Sequence, residues 1–229
     1  MTNKKIILIT GGSRGLGKAI ANELKNTYEV IITSENESEL KQTASELNVD
    51  FRVCDVTNYK QIEETINYII SKYGKLDVLV NNAGIWIQGP LETNEADYIK
   101  KVFEVNTLGV IYMTKAVLPL MKNNHSGTIL IVNSVSGLTT KPERTIYDSS
   151  KWALTSFAEC LRQEVSKDNI KVLSLHPSLM NTALFEKAGK LRDVHKAIDP
   201  KEAAKVVSYM LSVEGDNFLS QVVMRNINF

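Results

Sequence analysis

TGGSRGLG, residues 10–17, is the most informative segment of this sequence. It directly follows the apolar run Lys5–Thr10, which has the composition of a buried strand, and it precedes a stretch with helical periodicity. In such a loop Gly11 permits a tight turn, Gly15 lets the backbone approach a phosphate closely, and Gly17 allows close packing. Free N–H groups and the helix dipole attract anions where the helix begins. The segment therefore favours a nucleotide-binding loop, although its spacing is not that of G-x-G-x-x-G.

The same residues also contain Gly11-x-Ser13-x-Gly15, the pattern of the nucleophile elbow of α/β hydrolases. This pattern leaves a second enzyme class open, in which Ser13 is the nucleophile and His176 or His195 completes a triad with an acidic residue. The elbow would follow the first strand, with no oxyanion-hole loop before it. The sequence therefore favours nucleotide binding over hydrolysis.

Strand-like and helix-like segments alternate along the whole chain. The strand-like segments are continuously apolar, as parallel strands covered by helices on both faces must be. They are Lys5–Thr10, Glu29–Thr33, Val49–Cys54, Leu76–Asn81, Thr128–Asn133, Ile170–His176 and a seventh near Phe218–Met224. The predicted helices span residues 14–26, 36–47, 58–73, 94–123, 147–167 and 200–213. We therefore predict one α/β domain over residues 1–229, with a doubly wound parallel sheet of about seven strands and helices on both faces.

Residues 178–199 interrupt this alternation, because they follow the sixth predicted strand and have no firm periodicity. A long excursion inside a compact domain is usually functional or mobile. Its position at the carboxyl end of a parallel strand predicts a substrate lid, with a variable surface loop as the alternative.

The composition excludes several classes of partner. With 27 basic and 26 acidic residues the net charge is +1, so neither nucleic acid nor an anionic membrane is the expected partner. Apolar runs such as Ile6–Ile9 are far shorter than the ~20 residues of a membrane helix or the ~7–15 of a signal peptide, which predicts a cytoplasmic protein. Cys54 and Cys160 lie far apart without a nearby histidine, so we expect two buried thiols and no metal site.

A second group of polar residues carries candidate chemistry. YDSSK, residues 147–151, begins a predicted helix on which Tyr147 and Lys151 share one face. An ammonium ~4 Å from the phenol, at an effective dielectric constant of ~20, would lower the tyrosine pKa from ~10 to near 7. Ser134, at the end of the fifth predicted strand, would donate a second hydrogen bond to a substrate oxygen. A tyrosine and lysine alone are more often a solvated helix face, so the pair needs supporting motifs.

Taken together, the motifs resemble the short-chain dehydrogenase/reductase family over nearly the whole chain. They are TGGSRGLG, the NNAG of residues 81–84, Asn106 within NTLG, Ser134 and YDSSK, in the family's order and spacing. The resemblance implies a Rossmann-type fold and an NADP-dependent oxidoreductase that transfers a hydride between nicotinamide and a small carbonyl or secondary alcohol. It also implies a homodimer or homotetramer.

The resemblance assigns roles to individual residues. Tyr147 becomes the general acid/base, Ser134 polarises the substrate oxygen, and Lys151 lowers the tyrosine pKa and binds the ribose. Asn106 holds a water in a helix kink that relays protons to Lys151. The implied cofactor-binding residues are Gly11, Ser13, Arg14, Gly15, Leu16, Gly17, Ser34, Asp55, Val56, Asn82, Ala83, Gly84, Tyr147, Lys151, Pro177 and Thr182. Ser178 stands where the family usually has glycine, and the family's glycine-rich ending is missing.

The choice between NADP and NAD depends on the end of the second predicted strand. Ser34 stands where the family's NAD-selecting aspartate would be, and Glu35 lies one residue further on. Arg14 can donate several hydrogen bonds to a 2′-phosphate. This combination resembles the bacterial 3-oxoacyl-carrier-protein reductases and favours NADP, whereas an ion pair between Arg14 and Glu35 would make NAD possible. A non-catalytic NADP-sensing protein is a further alternative, although such proteins commonly lack the tyrosine or lysine that this chain retains.

Overall fold

The computed structural model describes residues 4–182, 184 and 197–227. Within these ranges, seven parallel strands form one sheet in the order β3-β2-β1-β4-β5-β6-β7. The strands are β1 (Lys5–Thr10), β2 (Tyr28–Ser34), β3 (Asp50–Val53), β4 (Val78–Asn81), β5 (Gly127–Val132), β6 (Ile170–Pro177) and β7 (Gln221–Met224). The predicted fold class is confirmed.

Helices cover both faces of this sheet, which explains why the strands are continuously apolar. The α-helices of the described residues are α1 (Gly15–Leu24), α2 (Glu37–Leu47), α3 (Tyr59–Tyr73), α4 (Ala96–Phe103), α5 (Gly109–Asn123), α6 (Thr145–Glu164) and α7 (Pro200–Ser212). In β1, Ile7 and Ile9 pack against α1, α2 and α7, whereas Ile6 and Leu8 pack into the core beneath α3, α5 and α6. Successive residues of a buried strand thus enter opposite cores.

The strand order reverses between β1 and β4. Ile7 of β1 pairs with Val30 of β2 on one side and Val78 of β4 on the other. The chain builds outward from β1 to β3 and then in the opposite direction from β4 to β7. The loops that leave β1 and β4 therefore diverge and open a crevice at the carboxyl edge, where ligands bind in such sheets.

Several sequence expectations are wrong in detail, including the starts of the fourth and seventh strands, which begin at Val78 and Gln221. The helix predicted over residues 94–123 is interrupted by a π-helical turn at Glu104–Leu108 between α4 and α5. The third strand is shorter than predicted, Asp50–Val53. Cys54 is buried, but Cys160 is exposed on α6, because it points away from the sheet.

The segment predicted as a lid is held together at its two ends. Met180 forms a parallel bridge with Ile198, and the backbone N–H of Asn181 donates to the Ile198 carbonyl at 2.9 Å. Residues 183 and 185–196 lie outside the described part of the chain, so the lid over residues 178–199 stays a prediction. In the described residues, no helix is both long and apolar enough to cross a membrane.

Candidate active site

The glycine loop after β1 requires its glycines for two separate reasons. Gly11 and Gly15 have φ angles of +63° and +54°, in the left-handed region that disfavours side chains. A Cβ at Gly11 would also lie 2.9 Å from the Ala83 Cα. A Cβ at Gly17 would collide with the Gly11 carbonyl oxygen. Gly17 thus permits the loop to fold against the start of α1. The sequence had predicted only that Gly17 allows close packing.

Residues that leave β4 hold this loop in place. The Asn82 side-chain amide donates to the carbonyls of Thr10 (2.9 Å) and Gly11 (3.1 Å). The backbone N–H groups of Asn82 and Ala83 both donate to the Thr10 hydroxyl at 3.0 Å. The sequence prediction placed Asn82 beside the cofactor, but its amide is used to fix the loop backbone. Ala83 and Gly84 remain on the wall of the crevice.

The crevice brings together most of the predicted cofactor-binding residues. Those that line it are Gly11, Ser13, Arg14, Gly15, Leu16, Ser34, Asp55, Val56, Asn82, Ala83, Gly84, Tyr147, Lys151 and Thr182. Gly17 and Pro177 are buried and do not line the crevice. The crevice is also lined by residues outside the predicted cofactor-binding set, namely Glu35, Cys54, Ile85, Lys101, Val105, Val132, Asn133, Met180 and Leu184. Glu35, Cys54, Val132 and Asn133 are all at or next to a strand's carboxyl end, which is a signal that the sequence already contained.

The far end of the crevice contains the groups expected to choose between NADP and NAD. The Ser34 hydroxyl accepts hydrogen bonds from the Ser13 hydroxyl (3.2 Å) and the Asn36 N–H (3.3 Å). The Arg14 guanidinium is half-exposed, and its Nε lies 4.0 Å from the Glu39 carboxylate. The ion pair of Arg14 is thus with Glu39 and not with Glu35, the pairing that would make NAD possible.

Asp55 also lines the crevice, but its carboxylate shapes a turn. One oxygen, Oδ1, accepts hydrogen bonds from both the N–H and the hydroxyl of Thr57, each at 2.9 Å. This Asx turn directs the chain into α3, where the Asn58 side chain caps the helix by accepting from the Gln61 N–H. The Asp55 carboxylate therefore stabilises the turn at this wall of the crevice, and Asp55 also lines the crevice itself.

Tyr147 lies in the first turn of α6, at the other end of the crevice. Its ring is buried and packs against Trp86 with ring centres 4.2 Å apart. Burial raises the pKa of Tyr147 to about 12, although a hydrogen bond with Ser134 acts in the opposite direction. The Ser134 hydroxyl itself accepts from the Ser136 N–H at 3.1 Å, at the start of a short 3₁₀ turn after β5. Tyr147 is therefore protonated at neutral pH.

Lys151 follows one turn later on the same helix and is buried too. Its ammonium donates to the Val132 carbonyl at 3.3 Å, and burial lowers its pKa to about 8. The sequence prediction that Lys151 brings the tyrosine pKa near 7 is wrong for this arrangement. Because both side chains are withdrawn from water, burial favours the neutral form of each, which raises the pKa of the tyrosine and lowers that of the lysine.

Asn106 lies in the π turn between α4 and α5 and connects it to neighbouring elements. Its side chain makes two hydrogen bonds with the backbone of Ile85. Oδ1 accepts from the Ile85 N–H (2.8 Å), and Nδ2 donates to the Ile85 carbonyl (2.9 Å). Nδ2 also donates to the Ser150 hydroxyl at 3.2 Å. In the π turn the Gly109 N–H donates to the Glu104 carbonyl, five residues earlier, whereas an α-helical N–H donates to the carbonyl four residues earlier. The fully buried Asn106 thus joins three elements around Lys151.

His176, near the end of β6, is a polar residue to which the sequence analysis assigned a role only in the hydrolase alternative. It is buried, and its Nδ1 lies 2.9 Å from the Ser134 carbonyl oxygen. Burial and the nearby Lys151 ammonium both lower its pKa. In the hydrolase alternative His176 would serve Ser13, but the Ser13 hydroxyl donates to Ser34 instead. His195 lies outside the described residues.

Comparison with known proteins identifies the family. The family model "short chain dehydrogenase" matches residues 5–193. An uncharacterized oxidoreductase of Staphylococcus saprophyticus is 30% identical over 97% of this chain and 97% of its own length.

Solved structures agree with that match. An alcohol dehydrogenase from the archaeon Thermococcus sibiricus, complexed with 5-hydroxy-NADP, is 27% identical, covers 99% of this chain and 98% of its own, and superposes with a TM-score of 0.90. A 3-ketoacyl-(acyl-carrier-protein) reductase from Brucella melitensis, complexed with NADH, shares the fold at 24% identity and a TM-score of 0.89, with 96% of each chain covered. The chain therefore belongs to the short-chain dehydrogenase family of oxidoreductases.

Proposed function

We propose that the protein interconverts a small carbonyl compound and the corresponding secondary alcohol with NADP(H), and that Tyr147 is the general acid/base. One observation carries this proposal: Tyr147 and Lys151 line the same crevice as the glycine loop, and Ser134 is hydrogen-bonded to Tyr147. A dinucleotide that spans the crevice would bring its nicotinamide to the tyrosine.

The glycine loop suits a pyrophosphate. Helix α1 begins at Gly15, and the side chain of its N-terminal residue Arg14 makes no capping hydrogen bond. The first N–H groups of a helix have no partners within it, so they are available to phosphate oxygens. A Cβ at Gly15 would enter the space in front of the loop, 3.5 Å from the Thr182 side chain. The residues present therefore fit the phosphate groups of a nicotinamide dinucleotide.

The neighbourhood of Ser34 favours NADP over NAD. Arg14 and Lys101 both line the crevice and are the basic groups there that can neutralise a 2′-phosphate. Ser34 carries no negative charge that would repel the phosphate, although Glu35 lies nearby. The related Thermococcus enzyme was solved with an NADP derivative. We keep NAD as the alternative cofactor, because Glu35 also lines the crevice.

The chemistry divides between the bound cofactor and the protein. A bound nicotinamide provides or accepts a hydride at the substrate carbon. In the reducing direction, the phenol of Tyr147 donates its proton to the substrate oxygen, which gains negative charge. A tyrosine pKa of about 12 suits an acid that must keep its proton until that charge develops. The Ser134 hydroxyl gives the oxygen a second hydrogen bond and fixes its direction.

Lys151 restores the proton that Tyr147 has lost. Its pKa of about 8 means that it carries a proton at neutral pH but gives it up more readily than an exposed lysine. It lies one helical turn beyond Tyr147 on the same face of α6. We also assign to its ammonium the binding of the nicotinamide ribose, as in the family resemblance.

A cofactor-oxidation assay tests this proposal. Purified protein is mixed with NADPH or NADH and a panel of ketones, aldehydes and acetoacetyl thioesters, and secondary alcohols are tested with NADP⁺ in the reverse direction. We expect carbonyl-dependent consumption of NADPH that is faster than that of NADH. Tight NADPH binding by fluorescence without turnover on any panel member would instead indicate a non-catalytic NADP-sensing protein.

A further inference from the structure

The chain turns sharply where it leaves β5, and one histidine ring holds that turn. Pairing between β5 and β6 extends to Val132 and Leu175, and the Asn133 N–H still reaches the Leu175 carbonyl at 2.8 Å. One residue later the strands no longer pair by backbone. There the Ser134 carbonyl oxygen lies 2.9 Å from Nδ1 of His176. A side chain of β6 therefore contacts the chain that leaves β5 at the point where backbone pairing stops.

The Ser134 carbonyl is held from two directions. The N–H of Gly137, in the 3₁₀ turn that follows, donates to this oxygen at 2.9 Å. His176 approaches the same oxygen from β6, 42 residues away in the sequence. The first contact belongs to the local turn, and the second fixes that turn to the sheet. Without the second contact the turn and its serine would be free to shift relative to the strands.

The tautomer of His176 follows from this contact. A carbonyl oxygen only accepts hydrogen bonds, so Nδ1 must carry the hydrogen. The ring is 1% exposed and lies near the Lys151 ammonium, both of which disfavour a second proton. The ring is therefore neutral, with Nδ1 protonated and Nε2 unprotonated.

The Ser134 side chain depends on that backbone position. Its hydroxyl oxygen accepts from the Ser136 N–H at 3.1 Å, and it is hydrogen-bonded to Tyr147. We infer that His176 is a positioning residue: its Nδ1–H fixes the Ser134 backbone and thereby aims the Ser134 hydroxyl at the substrate oxygen. This inference rests on the proposed function, in which Ser134 contacts the substrate and His176 does not.

Two substitutions separate the hydrogen bond from the volume of the ring. His176→Leu keeps an apolar side chain of similar size but removes the donor, whereas Nδ2 of His176→Asn can replace Nδ1. We expect His176→Leu to lower kcat about tenfold to a hundredfold, because small misplacements of reacting groups have effects of this size. NADPH affinity should stay unchanged, and His176→Asn should recover most of the rate. Equal losses in both variants would overturn the inference.

A double-mutant cycle with Ser134→Ala tests whether His176 acts through the serine. If it does, His176→Leu should change kcat by less than about twofold once the Ser134 hydroxyl is absent. If His176→Leu costs the same factor in both backgrounds, the histidine acts independently of Ser134 and the inference is wrong.

The histidine tautomer gives a readout that does not need turnover. The ¹⁵N signals of the His176 ring, assigned by comparison with His176→Asn, should be those of a neutral ring protonated at Nδ1. A ring protonated at Nε2 would overturn the inference whatever the activity. Absence of activity on any carbonyl compound would overturn the proposed function, while an Nδ1–H signal would still support the contact with Ser134.

Discussion

The ammonium nitrogen of Lys151 lies 5.9 Å from the centre of the Tyr147 ring. Both residues are on the buried face of α6, and the lysine directs its hydrogen bond to the end of β5. Burial raises the pKa of Tyr147 and lowers the pKa of Lys151, so the lysine gives up its proton more readily than the tyrosine does. This arrangement supports the proposal that Tyr147 is an acid towards substrate and that Lys151 returns its proton.

Removal of the Tyr147 hydroxyl should abolish most of the activity. Tyr147→Phe keeps the packing against Trp86 but deletes the proton that the substrate oxygen receives. General acid–base catalysis contributes about 10²- to 10⁴-fold, so kcat should fall by at least about 10² with NADPH affinity unchanged. Steady-state kinetics and fluorescence titration measure the two quantities. Tyr209→Phe, at an exposed tyrosine of α7, is the matched control. A variant that retained a tenth of the wild-type rate would exclude Tyr147 as the acid.

Arg14 should determine the preference for NADPH. We expect the wild type to bind NADPH at least ~10-fold more tightly than NADH, a difference of about 1.4 kcal/mol, because the guanidinium pairs with the 2′-phosphate. Arg14→Ala should remove most of this preference while leaving NADH affinity nearly unchanged. Lys18→Ala removes a positive charge from the same helix at an ion pair with Glu46, and it should keep the preference. Equal affinities of the wild type for the two cofactors would contradict the assignment.

The buried Lys151 should make stability depend on pH. Its pKa is about 8 in the folded chain, against 10.5 for an unperturbed lysine. Between these values the unfolded chain binds more protons than the folded one, so folded stability rises with pH. The wild-type free energy of unfolding, relative to that of Lys151→Met, should therefore increase by up to about 3 kcal/mol from pH 7 to pH 10.5.

Urea denaturation at a series of pH values measures this difference. Lys41→Met, at an exposed lysine of α2 that pairs with Glu37, provides the control and should show no comparable pH-dependent change relative to wild type. A pH-independent difference between wild type and Lys151→Met would mean that the lysine titrates alike in the folded and unfolded chains.

The chain should assemble into a homodimer or homotetramer. Two large apolar side chains, Trp152 on α6 and Leu108 in the adjoining π turn, are 44% and 38% exposed. Exposed apolar groups of this kind are expected where a second subunit packs, and the family resemblance implies pairing through these helices. Trp152→Glu should shift the mass measured by light scattering toward the monomer, whereas Tyr209→Glu on α7 should not. A monomeric wild type at micromolar concentration would refute this prediction.

The sequence by itself determined the fold and most of the residues that line the crevice. Buried parallel strands must be apolar at every position, so β1 could be recognised from Lys5–Thr10 alone. The positive φ angles of Gly11 and Gly15 are local requirements of the backbone that few other residues meet. Tyr147 and Lys151 share a helix face because of their spacing. These properties depend on neighbours within a few residues.

Only the tertiary structure decided how the site residues are used. Asn106 in the π turn contacts Ile85, 21 residues away, and the Ser134 carbonyl contacts His176, 42 residues away. The direction of the pKa shifts at Tyr147 and Lys151 follows from burial by residues from several elements. Spacing along the helix brought the two side chains onto one face, but the surrounding protein removed both from water. Desolvation therefore prevailed over the attraction that the sequence pattern suggested.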